Sequence, residues 1–215
     1  MGKILTKKFF ERPALRVARD LVGKFLVLRR RTSKLAFMIT ETEAYIGPQD
    51  KASHAHSGKT ARNAPMFGEA GRWYVYFTYG MHWMLNIVTG PKDYPAAVLI
   101  RGVSGTPFSA QHFVGYAYLA AAGLLCSPRR AAQCPPKYSP QKELDGPAKL
   151  TKFLKIDKHF NDKLASRATG LWIAAPSGRA SLRAGGFRIK RATRVGVDYA
   201  GDWAKKKYRF LLVQK

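Results

Sequence analysis

Acidic side chains are scarce in this sequence: 13 Asp plus Glu stand against 38 Lys plus Arg in 215 residues, a formal net charge of +25. That imbalance argues against a cationic partner and points to a polyanion, because each cation placed on a phosphate releases condensed counterions. Cysteine is nearly missing. Cys126 and Cys134 make no CxxC pair and no framework of bridges, so reduced thiols are expected. The five histidines, His54, His56, His82, His112 and His159, do not fall at zinc-ligand spacing beside those cysteines. Asp50, His54 and His56 offer the one conceivable metal set, for which a polar loop is the simpler reading, and no metal is expected. The longest weakly polar stretch, Phe113 to Cys126, is shorter than the roughly 20 apolar residues a bilayer demands. No apolar leader opens the chain, and a soluble, intracellular protein without membrane contact is expected. Neither GxxxxGK[ST] nor a strand followed by GxGxxG occurs, which excludes the usual ATP and dinucleotide loops, and no cofactor is expected.

What the chain does have is apolar and aromatic substance: 46% hydrophobic and 12% aromatic residues suffice for a sizeable core. The length suits a single domain over residues 1–215. Pro13 to Val22 reads as an amphipathic helix. Phe25 to Leu28 and Leu35 to Ile46 read as strands, and Gln49 to Pro65 as a polar loop. Trp73 to Tyr79 is an aromatic, β-branched strand ending at Gly80, and Trp83 to Val88 pairs back on it as a projecting hairpin. Ala96 to Arg101 is a further buried strand. Phe108 to Leu125 reads as a helix and Ser127 to Lys142 as a basic, proline-rich loop. Asp145 is placed to cap a helix running through Pro147 to Ile156, and Phe187 to Val213 returns to strands and turns. Without regular βαβ alternation the fold class is α+β, a mostly antiparallel sheet with flanking helices.

So few acids make the search for a general base short. Glu41 and Glu43 lie two apart in one strand, hence on one face, among apolar neighbours that raise a carboxylate's pKa unless a cation answers it. A solvent-facing polar edge is the competing reading. Tyr74 and Tyr76 also share a face, and Tyr79 stands at the hairpin tip beside Gly80, Met81 and His82. A tip aromatic on a +25 protein is placed to wedge into a base stack, although an ordinary turn residue would read the same way.

The run Glu41-Thr42-Glu43-Ala44-Tyr45-Ile46-Gly47-Pro48 is followed by Asp50, His54, Arg62-Asn63 and Met66-Phe67. Next come Tyr74-Val75-Tyr76, Tyr79-Gly80-Met81, Asn86 and Val98-Leu99-Ile100-Arg101. Together they resemble the signature of the 3-methyladenine (alkyladenine) DNA glycosylases. Gly146-Pro147-Ala148-Lys149-Leu150, the stretch Arg194 to Ala204 and Arg209-Phe210 resemble the same family, whereas residues 102–142 match it poorly.

The resemblance implies a base-excision-repair enzyme that flips a damaged purine out of double-stranded DNA and hydrolyses its N-glycosidic bond. It implies that Glu43 activates the water, with Arg101 and the Val195 carbonyl helping to hold it. Tyr45, His54 and Tyr76 wall the base pocket, and Asn86 screens out guanine's exocyclic amino group. Tyr79 fills the gap in the duplex, with Met81, Thr60, Arg62, Lys149 and Lys158 on the DNA side. Glu43 is expected to face the pocket and to stay ionised beside Arg101. A monofunctional, monomeric enzyme is expected. The rivals are a basic nucleic-acid-binding protein without catalysis and a glycosylase/lyase using a lysine nucleophile, which no lysine in an apolar run favours.

Overall fold

The computed structural model describes residues 2–31, 33–104, 144–176 and 187–214. The helix and basic loop expected over residues 108–142 lie outside these. Among the described residues, eight strands form one antiparallel sheet. Its main path runs β3 (Trp73–Thr78), β4 (His82–Val88), β5 (Ala97–Val103), β2 (Ser33–Tyr45), β1 (Phe25–Arg30), β6 (Leu171–Ala174). A branch adds β8 (Arg209–Gln214) to β2 and β7 (Phe187–Ala192) to β8. The α+β, mostly antiparallel reading holds.

The strand β2 is the spine. Its first half pairs with β1, from Arg30 opposite Ser33 to Phe25 opposite Met38, and its second half lies between β5 and β8. Between Ile39 and Thr42 the pairing with β5 is irregular: the register shifts at Glu41 and returns at Thr42. This irregularity decides where the acids point. Strict alternation would put Glu41 and Glu43 on the face of Phe37 and Ile39, which are buried in the main core. The irregular stretch inverts that parity, so Thr42 and Ala44 turn to the core instead and the carboxylates emerge on the opposite face. Thr42 donates to the Ala18 carbonyl at 2.8 Å, fixing the helix above it.

That helix, α2 (Ala14–Leu21), buries Ala14, Val17, Ala18 and Leu21, the stripe that a 3.6-residue period dictates. It follows a short helix α1 (Lys7–Phe10). The helix α3 (Pro147–Leu154) sets Leu150 and Leu154 in the same core, with Ile87, Ile100 and Leu26. Its start corrects one expectation. Gly146 occupies the N-cap, while Asp145 is spent on Lys149, whose Nζ donates to it at 2.7 Å, and the helix stops at Leu154 before left-handed Lys155. Among the described residues no helix is long and apolar enough to cross a membrane.

The core therefore sits on one face of the sheet. The other face, at the β3–β4–β5–β2 end, carries among the described residues two small apolar clusters, Ala55–Met66–Tyr74–Val88–Ala97 and Ala52–Val197–Ala200. Space is left between them.

Candidate active site

Register builds the site. Tyr74 lies opposite Asn86, Asn86 opposite Leu99 and Leu99 opposite Glu43, so one row of side chains crosses four strands on the face away from the core. Two residues along, Tyr76, Met84 and Arg101 continue the same face. A cavity of about 270 Å³ opens there. Its walls include Tyr45, His54, Tyr74, Tyr76, Asn86 and Arg101, with Tyr79 and Tyr199 at the mouth.

Glu43 stands behind the wall. Its side chain is 0% exposed, and its neighbours Tyr45, Arg101 and Val195 line the cavity in its place. The sequence expectation that it faces the pocket is corrected to this extent. Its oxygens are held from three sides: Oε1 accepts the Val195 amide at 2.8 Å, Oε2 accepts the Tyr45 hydroxyl at 3.0 Å, and Arg101 Nε lies 3.5 Å from Oε1. Burial raises its pKa above the usual carboxylate value, and Arg101, the Val195 N–H and the Tyr45 hydroxyl counter this only in part. Its partner Glu41 takes the ion pairs: Arg101 Nε and Arg209 Nε each lie 2.8 Å from Glu41 Oε1.

The aromatic walls are neutral and braced. Burial pushes the Tyr76 phenol up to about 12 and raises Tyr45 and Tyr74 as well, so none ionises at physiological pH. The His54 ring meets Tyr76 edge-on at 4.5 Å, and its Nδ1 lies 3.0 Å from the Tyr74 hydroxyl. Partial burial and the charge of Arg62 lower the His54 pKa, favouring the neutral ring. Asn86 donates Nδ2 to the Tyr74 carbonyl at 3.1 Å, which fixes its amide plane against the cavity. Arg62 lies 5.2 Å from the Tyr76 ring centre and donates to the Phe77 carbonyl at 2.8 Å. Thr60, in the same loop, donates its amide to Asn63 at 2.7 Å.

At the mouth the hairpin turns through Tyr79 and Gly80, both at positive φ (51° and 65°), and the Met81 amide bonds the Thr78 carbonyl at 3.2 Å. Asn-Gly is the usual pair for a tight turn with two left-handed residues, and a tyrosine there costs roughly 1–2 kcal/mol. In return its ring projects, 79% exposed, with Met81 at 67%. Lys149 on α3 and Lys158 at the following turn are exposed, but neither lines the cavity. The structure thus gathers Glu43, Tyr45, His54, Tyr76, Asn86, Arg101, Val195 and Tyr79 at one place. Arg62 stands beside the Tyr76 wall and Met81 beside Tyr79, while Thr60 and the two lysines are not among the residues that line the cavity.

Tyr199 and the buried ion pair Asp50–Arg194 were not singled out for the site by sequence. Tyr199 lines the mouth at 73% exposure. The spacing that brings it there, through Gly196 and the Asp198–Trp203 turn, carries no periodic signal. Asp50, conceivable from sequence as a metal ligand, has both oxygens engaged by Arg194 and by the amides of Ile46 and Ala52. Among the described residues no group of three or more His, Cys, Asp or Glu stands at metal-binding distance.

Shape and charge together narrow the class: a ring-sized aromatic cavity under a protruding hairpin, on a chain of charge +25, belongs to a protein that handles nucleic acid. Residues 8–215 match the methylpurine-DNA glycosylase family. A Methanocella arvoryzae protein is 38% identical over 209 residues, covering 96% of this chain and 91% of its own, and one from Natranaerobius thermophilus is 36% identical over 212 residues, covering 97% and 94%. An Anaeromyxobacter protein is 38% identical over 209 residues, 97% of this chain and 88% of its own. All three are provisionally named as 3-methyladenine DNA glycosylases. The chain belongs to the methylpurine-DNA glycosylase family, and its role is that of a DNA glycosylase in base excision repair.

Proposed function

We propose that the chain is one monofunctional, monomeric, intracellular glycosylase domain that releases alkylated purines from double-stranded DNA and leaves an abasic site. The observation that carries this reading is the braced carboxylate of Glu43 immediately behind an aromatic slot. A cavity of about 270 Å³ lies at the small end of ligand clefts, typically about 300–1,000 Å³, and suits a single heterocycle taken out of the stack. Alkylation makes a purine cationic, so neutral Tyr45 and Tyr76 attract it through their ring faces. The same charge makes the base a better leaving group.

Glu43 is the general base. Its Oε2, which accepts a hydrogen bond from the Tyr45 hydroxyl, retains lone-pair capacity for a water admitted between Tyr45 and Arg101. Ionised, it removes the proton as the water attacks C1′, and its charge favours the oxocarbenium-like sugar. Arg101 favours the charged carboxylate and, from the wall, helps hold the water with the Val195 carbonyl. Asn86 screens the base edge, and His54 closes the slot. Tyr79 fills the gap in the duplex, with Met81, Thr60, Arg62, Lys149 and Lys158 along the DNA. Among the described residues no lysine lines the cavity, which supports hydrolysis by water over an amine nucleophile.

The test is incubation with duplex DNA treated with a methylating agent, chromatography of released bases, then hot alkali. Methylated purines should appear in solution and strands should break only after alkali. Breakage without alkali would indicate a lyase, and DNA binding without base release would favour the non-catalytic reading.

A further inference from the structure

We propose that the buried Asp50–Arg194 pair is a positioning device for hydrolysis, holding the backbone at Val195 so that its amide keeps the Glu43 carboxylate aimed at the cavity. This rests on reading Glu43 as the base. Arg194 Nη2 donates to Asp50 Oδ1 at 2.8 Å and to the Trp203 carbonyl at 3.2 Å, while Nη1 reaches Asp50 Oδ2 and, at 2.9 Å, the Ala44 carbonyl. Asp50 in turn accepts the amides of Ile46 at 3.2 Å and Ala52 at 3.1 Å. The guanidinium lies 4.8 Å from the Tyr45 ring centre and 5.3 Å from that of Tyr208. One fork thus ties the exit of β2, the loop leading to His54 and the C-terminal segment bearing Tyr199.

Two observations make positioning the role rather than cohesion. The first is what anchors Val195. Its side chain is 46% exposed, and Gly196 after it sits at φ 72° with open space where a Cβ would be. Among the described residues the bond to Glu43 is the one hydrogen bond of Val195, and the residue before it, Arg194, is the anchored one. The second is the chemistry chosen. Both side chains of the pair are 0% exposed, and a buried ion pair holds segments together no better than apolar residues of equal volume. What it adds is direction, since a planar two-point fork fixes orientation where a hydrophobic contact does not.

Consequences follow at Glu43. The groups facing it are Glu41 and Tyr45 on β2, Arg101 on β5, Tyr76 on β3, Arg209 opposite it on β8, the Val195 amide, and Arg194 beyond Tyr45. The amide is the donor whose place depends on the pair. If it swings away, the ionised carboxylate loses a hydrogen bond and takes up a proton more readily.

The experiment compares Arg194→Lys and Asp50→Asn with the parent and with Glu43→Gln, using methylated duplex DNA with protein in excess, across the acid limb of the pH profile. Asp50→Asn keeps shape and one acceptor, so it is the variant to read if Arg194→Lys melts without a cooperative transition. The plateau rate should fall by about 10- to 100-fold, the acid limb should move to higher pH, and affinity for the DNA should stay close to the parent's. A cooperatively folding variant whose rate falls by one factor at every pH, with the limb in place, would overturn the proposal and leave the pair structural. Activity retained by Glu43→Gln would instead overturn the reading of Glu43.

Discussion

The wall around Glu43 and the tip of the β3–β4 hairpin lie on the same cavity and are built on opposite principles. At Glu43 the side chain is 0% exposed, its oxygens are met from three sides, and the strand beneath it is paired on both edges. At Tyr79 the ring is 79% exposed and the backbone is held in a left-handed conformation that tyrosine disfavours. On the roles proposed above for Glu43 and Tyr79, the difference teaches how the work is divided. A group that must be charged in a dry site needs its partners in place before substrate arrives, because reorganisation would cost what catalysis gains. A group that must enter a duplex needs reach, and reach is incompatible with burial.

The largest effect should come from breaking the wall. Glu43→Gln should lower single-turnover excision by at least about 10³-fold while binding to lesion DNA persists, since no phosphate contact is removed. A variant retaining a tenth of the parent rate would show that another residue is the base. The same substitution should raise stability near neutral pH. A carboxyl whose pKa is higher folded than unfolded costs stability as pH rises through and above that window, and the neutral amide escapes the cost. Thermal melts of both proteins at neutral and acidic pH check the sign: the gap should narrow in acid.

Breaking the tip should cost less, and selectively. Tyr79→Ser should slow excision from a fully paired duplex by about 10- to 100-fold, yet much less when the damaged purine lies in a bulge, where extrusion is already easy. Tyr76→Ser, which alters the slot itself, should impair both substrates alike. Equal losses for Tyr79→Ser on the two duplexes would remove the wedge role. Tyr79→Asn sharpens the same contrast: it should stabilise the fold by about 1 kcal/mol, because asparagine accepts positive φ, while losing the duplex excision that serine loses. Calorimetry and the excision assay together decide it.

The smallest structural perturbation is salt. With +25 net charge, log affinity for undamaged duplex should fall steeply with log salt. A slope near zero would mean that the exposed cations around the rim do not meet phosphates.

Sequence made parts of this site legible and hid others for physical reasons. Alternation placed Glu41 and Glu43 together, and the aromatic run with Gly80 announced the hairpin, because both signals are local. The irregular pairing at Glu41 that turns those acids away from the core leaves no mark in the pattern. Strand β6 was not read from sequence, being four buried residues with no alternation to display. Asp145 looked like a helix cap by type and position, but Lys149 one turn on competes for the same carboxylate. Least legible were the contacts across the chain: the Val195 amide meets Glu43 across 152 positions, and Arg194 meets Asp50 across 144. Neither residue type nor spacing announces such a meeting.

The long strand β2 carries one last consequence, for fluctuations. Glu43 is paired with Leu99 on one side and Arg209 on the other, so no fraying of an edge reaches it. Opening the chain there means separating β5 and β8 from β2, which is close to unfolding the whole sheet. Backbone amides of Thr42 and Glu43 should therefore exchange with solvent only through global opening, while those of the exposed turns at residues 56–62 exchange by local excursions. Heat should then remove the chemistry and the fold in a single step, with no folded but inert species between them.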